Sequence, residues 1–105
     1  MRIRDLAPED RPRERLWNHG PHVLTAAELV ALVLRSGRKG ENALDSARRL
    51  LDSFGGLSGL ASAHPEELAA HAGIGRAKAA SVLAALRLGA LARAGGSQNR
   101  RAQAC

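Results

Sequence analysis

Two glycines separated by one apolar residue, Gly73-Ile74-Gly75, stand between two stretches that both have helical character, and this turn constrains the chain more than any other feature. Upstream, Pro65 suits the first turn of a helix, where its missing amide is no loss, and Glu66 and Glu67 lie near the positive end of that helix's dipole. Gly73 is free to take the left-handed conformation that ends the helix. Gly75 is placed where any side chain would block close backbone approach by a partner, and the next helix begins there and runs to residue 94. The pattern over 65–94 therefore predicts a short helix, a three-residue turn and a long helix. Such a turn exposes amides. Together with the positive end of the second helix they make an anion site, to which Arg76 and Lys78 add full charges within the first turn.

The pattern Leu68, Gly73-Ile74-Gly75, Lys78, Ala79, Leu83 resembles the helix-hairpin-helix module of DNA repair and recombination proteins. That resemblance implies a grip on the phosphate backbone without sequence reading. The plainer alternative is an ordinary helical corner that needs two glycines, with Arg76 and Lys78 merely solvated.

At 105 residues the chain has room for one domain with a modest core. Alanine and leucine dominate, β-branched residues are few and aromatic residues make only 2%, so the expected fold class is all-α. The 16 basic residues exceed the 10 acidic ones by six, and all but two of the basic residues are arginine, whose planar fork binds two phosphate oxygens at once. A polyanion is the expected partner. One cysteine, Cys105, forms no internal disulfide, and no long apolar run marks secretion or a membrane span, so the expected location is cytoplasmic.

Residues 1–10 read as an extended arm. Residues 11–17 read as a short helix stopped by Gly20-Pro21, with Leu16 and Trp17 plugging one end of the core and Trp17 packed rather than free to stack on a base. Residues 24–34 carry a clear start signal, with Thr25 as N-cap, Glu28 closing a capping box, and Leu24 and Leu29 placed as a staple. Leu29, Val30, Leu32, Val33 and Leu34 leave little of this helix polar, which predicts burial on most sides. The loop that follows, residues 35–40, holds Arg35, Arg38 and Lys39 with two glycines and is a second candidate anion site, or else a solvated helix turn. Asn42 is placed to cap the next helix, in which Ala43, Leu44, Ala47, Leu50, Leu51 and Phe54 make one stripe, with Arg48 and Arg49 on its exposed side. After Gly55-Gly56 comes a short apolar turn, 57–61. In the last helix Ala79, Val82, Leu83, Leu86 and Ala90 make the inward stripe, while Ala77 and Ala80 admit a close helix partner.

The two halves of the chain repeat one plan, which predicts a small bundle of about five or six helices built from two stacked helix-hairpin-helix units. The expected boundaries are one domain over 1–94 and a disordered tail over 95–105, where polar residues and glycine replace the stripe.

Residues 10–16, 24–29, 34–40 with Ala43-Leu44, Phe54-Gly55 and 73–79 occur in an order that resembles the amino-terminal domain of the bacterial RadC family, also called UPF0758. The resemblance covers about residues 2–94. Family members usually continue into a domain similar to the JAMM metalloproteases, whose zinc motif this sequence does not contain, so no hydrolytic chemistry carries over. What the resemblance implies is a non-catalytic module that binds DNA backbone through Gly73, Gly75, Arg76 and Lys78, helped by Arg35, Arg38 and Lys39. It also implies a JAMM-like domain or repair protein supplied by another chain. The competing class is a protein-interaction or dimerisation module of the same helical build. His19 with His22, and His64 with His71, lack the carboxylate or cysteine that would complete a metal site, so no cofactor is expected.

Overall fold

A computed structural model of the chain describes residues 11–37 and 40–95, and among these the regular structure is entirely helical. It comprises α1 (Pro12–His19), a 3-10 turn (Pro21–Val23), α2 (Ala26–Leu34), α3 (Ala43–Phe54), α4 (Leu57–Ala61), α5 (Pro65–Ala69) and α6 (Gly75–Ala94). The all-α expectation and the number of helices hold for the described residues. The arm over 1–10, and the tail beyond Gly95, lie outside them.

Local chemistry sets the start of α2 as the sequence suggests. The Thr25 hydroxyl accepts from the Glu28 amide at 3.2 Å, and the Glu28 carboxylate accepts from the Thr25 amide at 2.9 Å, so both halves of the capping box are present. Arg15 of α1 also reaches Glu28 and donates to the Val23 carbonyl at 2.8 Å, which fastens α1 across α2 by polar contacts. Burial works to raise the Glu28 carboxyl, but the Thr25 amide and hydroxyl and the adjacent Arg15 guanidinium outweigh it and hold it below the ordinary glutamate value. A carboxyl depressed by folding contributes stability above its unfolded pKa, about 4.3, and loses that contribution as pH falls through the lower folded value. Glu28→Gln is therefore expected to melt below wild type near neutral pH, with the gap closing below about pH 4. Thermal melts of both proteins across this range check it; a gap that stays constant would show that the carboxylate's charge is not what matters.

The core is one cluster drawn from five helices. Val30, Ala31 and Leu34 of α2 and Ala43, Ala47 and Leu50 of α3 meet Leu60 of α4, Leu68 of α5, and Ala79 and Val82 of α6, with Ile74 from the preceding turn. Leu50, Leu60 and Leu68 are fully buried, and each such side chain stabilises the fold by roughly 1.5–3 kcal/mol. On α3 the predicted stripe is the observed one, with Leu44, Leu51 and Phe54 packed at its margin. Asn42 caps that helix by accepting from the Asp45 amide at 2.8 Å.

The expected burial of α2 on most sides holds: Val30, Ala31 and Leu34 are buried, every other residue of the helix but Leu29 is half-buried, and Val33 packs against the core from beside them. Three expectations need correction. Trp17 is not packed but 85% exposed, because Arg15 turns its own side of α1 toward α2 and a residue two positions on lies about 200° around the helix. Residues 57–61 are a helix rather than a turn, since Gly59 lets it lie against the Phe54 carbonyl while Leu60 enters the core. On α6, Ala77, Ala80 and Ala90 are exposed, as is every residue from Arg87 to Ala94, so its last two turns extend past the core.

Candidate functional site

The turn between α5 and α6 is longer than three residues, because α5 ends at Ala69 and α6 starts at Gly75. His71 donates to the Leu68 carbonyl at 3.2 Å and Ile74 to the His71 carbonyl at 3.1 Å, which curls the segment back on itself. Ile74 is buried and pins the turn to the core, while Gly73 and Gly75 on either side of it face solvent. Both glycines hold positive φ, +81° and +66°, a region that side-chain-bearing residues enter at a cost. An added Cβ at Gly75 would meet nothing within 4 Å, so the backbone there is open to approach.

Side chains of Thr25, Asn42 and His64 cap α2, α3 and α5, whereas no side chain caps α1, α4 or α6, of which α6 is the longest. The first amides of a helix have no acceptor within it, so a helix that begins uncapped offers them outward. Arg76 is exposed at this end and pairs with no other described residue. From Gly75 to Ala94 the helix carries Arg76, Lys78, Arg87 and Arg93 and no acidic residue, so nothing along it offsets the positive charge.

Lys78 brings the two candidate regions together. Its Nζ donates to the Ser36 carbonyl at 2.6 Å and to the Ser36 hydroxyl at 3.0 Å, latching the loop after α2 onto the first turn of α6. Both acceptors are neutral and an ammonium has three donors, so the charge is uncompensated and one N–H remains. Arg35, next to Ser36, is exposed and is the only non-glycine residue at positive φ among those described. It sits at the centre of a tight turn in which the Ser36 amide donates to the Leu34 carbonyl at 2.8 Å, a strained geometry for a residue with a side chain. Gly73, Gly75, Arg76, Lys78 and Arg35 are thus on or beside linked turns. Arg38 and Lys39 lie outside the described residues.

Sequence reasoning missed Arg49. Placed on the exposed side of α3, it is instead half-buried: Nη2 donates to the Ala72 carbonyl at 2.7 Å and to Glu41 Oε1 at 3.0 Å. Glu41 Oε1 also accepts from the buried Ser46 hydroxyl at 2.6 Å. The α5–α6 turn is therefore held from two sides, by Arg49 at Ala72 and by Lys78 at Ser36. No local pattern announces either contact, since each joins residues distant in the chain.

The histidines have structural surroundings. His64 Nδ1 accepts from the Glu66 amide at 3.2 Å, the His71 ring packs on Phe54 with centroids 5.0 Å apart, and His19 and His22 are exposed. Among the described residues no three of His, Cys, Asp and Glu come together as metal ligands would, and no helix is long and apolar enough to cross a membrane.

Comparison with known proteins identifies the lineage. Residues 3–80 match the UPF0758 N-terminal family model. A UPF0758 protein of Carboxydothermus hydrogenoformans is 58% identical over 87 residues, which is 83% of this chain and 38% of that protein. One from Bacillus licheniformis is 51% identical over 89 residues, covering 85% of this chain and 40% of the relative. No solved structure matches. The chain spans about two fifths of the length of these relatives. With the model match covering most of its length and the turn residues inside that match, the chain belongs to the UPF0758 family, whose amino-terminal domain it corresponds to.

Proposed function

We propose that this chain is a non-catalytic DNA-binding module that grips the phosphate backbone without sequence preference, built as two stacked helix-hairpin-helix units, α2–α3 and α5–α6. The observation that carries the reading is the uncapped start of α6, with open backbone at Gly75, Arg76 free in solvent, and Lys78 drawing the Ser36 loop alongside. A phosphate placed there accepts from outward amides, meets the positive end of a twenty-residue helix and neutralises uncompensated cations. Nothing in this arrangement reaches base edges in a defined pattern, so affinity follows phosphate count and salt. The competing reading, a docking module, draws on Leu88 and Leu91, 67% and 41% exposed on the projecting end of α6.

Arg76→Glu separates the two, because it reverses a charge at the site without breaking a contact. Lys78→Glu is a poorer probe, since it also removes the Ser36 latch. Wild type is expected to bind duplex with a dissociation constant of about 10⁻⁴ to 10⁻⁶ M and a log-log salt slope near −0.9 per phosphate neutralised. Arg76→Glu is expected to weaken binding to all sequences alike at low salt, flatten that slope, and melt like wild type. Equal binding by the folded variant would remove the hairpin as the DNA contact and leave the docking reading.

A further inference from the structure

Trp17 is the chain's single tryptophan, and it stands almost wholly in solvent on α1. A lone exposed apolar residue is ordinary, but this one lines a shallow groove of about 190 Å³ with Arg13, Glu14 and Asn18. Those four occupy positions i, i+1, i+4 and i+5 of one helix, which places them on one face. Arg13 is 82% exposed, and its ion pair with neighbouring Glu14 is long at 3.9 Å. Glu14 Oε2 is shielded from solvent and accepts no hydrogen bond.

We propose that this groove takes an unpaired base of a single-stranded nucleic acid, stacked on Trp17, with Arg13 on the adjoining phosphate. Each group suits a different part of a nucleotide. The indole offers a π-face to any base, the guanidinium meets the phosphate, and the exposed Asn18 amide, both donor and acceptor, suits a base edge. The charge excess of six favours a polyanion over a protein partner, and one indole among charged side chains is little apolar area for a stable protein interface. This inference rests on the backbone-binding reading and adds to it a contact that duplex DNA, with its bases stacked inside, does not offer.

With one tryptophan and no tyrosine, intrinsic emission reports on this site alone. Titration with a short oligothymidylate is expected to quench Trp17 along the same curve as strand anisotropy, whereas an abasic strand of equal length and charge binds with little quenching. Trp17→Ala is expected to weaken oligothymidylate binding by roughly fivefold to a hundredfold while leaving duplex binding and the melting temperature in place. Binding without quenching, or equal oligothymidylate affinity for Trp17→Ala, overturns the stacking site and leaves the backbone reading standing. No binding of either nucleic acid removes both. A concentration-dependent emission shift without nucleic acid, accompanied by a rise in sedimentation mass, puts a second copy of the chain in the groove and overturns the proposal.

Discussion

Gly59→Ala is expected to destabilise the fold by about 3 kcal/mol or more and to lower the melting temperature by roughly 12 °C or more. By helix propensity alone the change should help, since alanine gains up to about 1 kcal/mol over glycine within a helix. Tertiary contact reverses the sign. An alanine Cβ at 59 would fall 1.6 Å from the Phe54 carbonyl oxygen and 2.8 Å from its carbon, and these are backbone atoms of α3 that no rotamer change relieves. Either α4 lifts away and withdraws Leu60 from the core, or the last turn of α3 unwinds and disturbs the packing of Phe54 on His71. Gly89→Ala is the matched control, because its Cβ meets nothing within 4 Å and its site on α6 is exposed, so that variant should melt slightly above wild type. Thermal unfolding followed by circular dichroism tests both. A Gly59→Ala protein that melts within a few degrees of wild type would mean that α4 is not held against α3.

The features legible in the sequence are those whose partners lie within a turn or two. Thr25 and Glu28 are three residues apart, so the capping box can be read directly. The stripe from Ala43 to Phe54 follows from helical period alone. Gly73 announces a positive-φ position because few other residues tolerate one, whereas the sequence marks Gly75 only as open to close approach and the structure adds that it too holds positive φ. Features that depend on distant contacts were not legible. Lys78 meets Ser36 across 42 positions and Arg49 meets Ala72 across 23, so the latches that hold the candidate site look like solvated cations in the sequence. Residues 57–61 contain a glycine that argues against a helix by propensity, and only the approach of α3 makes that glycine necessary. Trp17 misled for the opposite reason. Its size argues for burial, but the orientation of α1 is set by the ion pair of Arg15 with Glu28, 13 residues away.

Gly37→Ala is expected to cost stability and the candidate site together. Its added Cβ would lie 2.0 Å from the Glu41 carbonyl oxygen and 2.4 Å and 2.5 Å from the Asn42 carbonyl carbon and oxygen. Those atoms belong to the segment that starts α3, where Asn42 provides the cap and the Glu41 side chain holds Ser46 and Arg49. On the other side of Gly37 is Ser36, the acceptor for Lys78. The glycine is therefore the point at which the two restraints on the α5–α6 turn converge, one through Ser36 to Lys78 and one through Glu41 and Arg49 to Ala72. Relieving the clash must displace one of them. Because the segment is a loop it can give way more than α4 can, so the expected loss is about 2–3 kcal/mol, or roughly 8–24 °C in melting temperature. Amide resonances of residues 73–78 are expected to shift although Gly37 is far from them in sequence, and backbone affinity for DNA is expected to fall even at temperatures where the variant is fully folded. The double change Gly37→Ala with Lys78→Met should lose little more affinity than Lys78→Met alone if the glycine acts through the Ser36 latch, because effects that share one contact do not add. Fully additive losses would assign the effect of Gly37 to the start of α3 instead, and unchanged resonances over 73–78 would show that the two turns are not coupled.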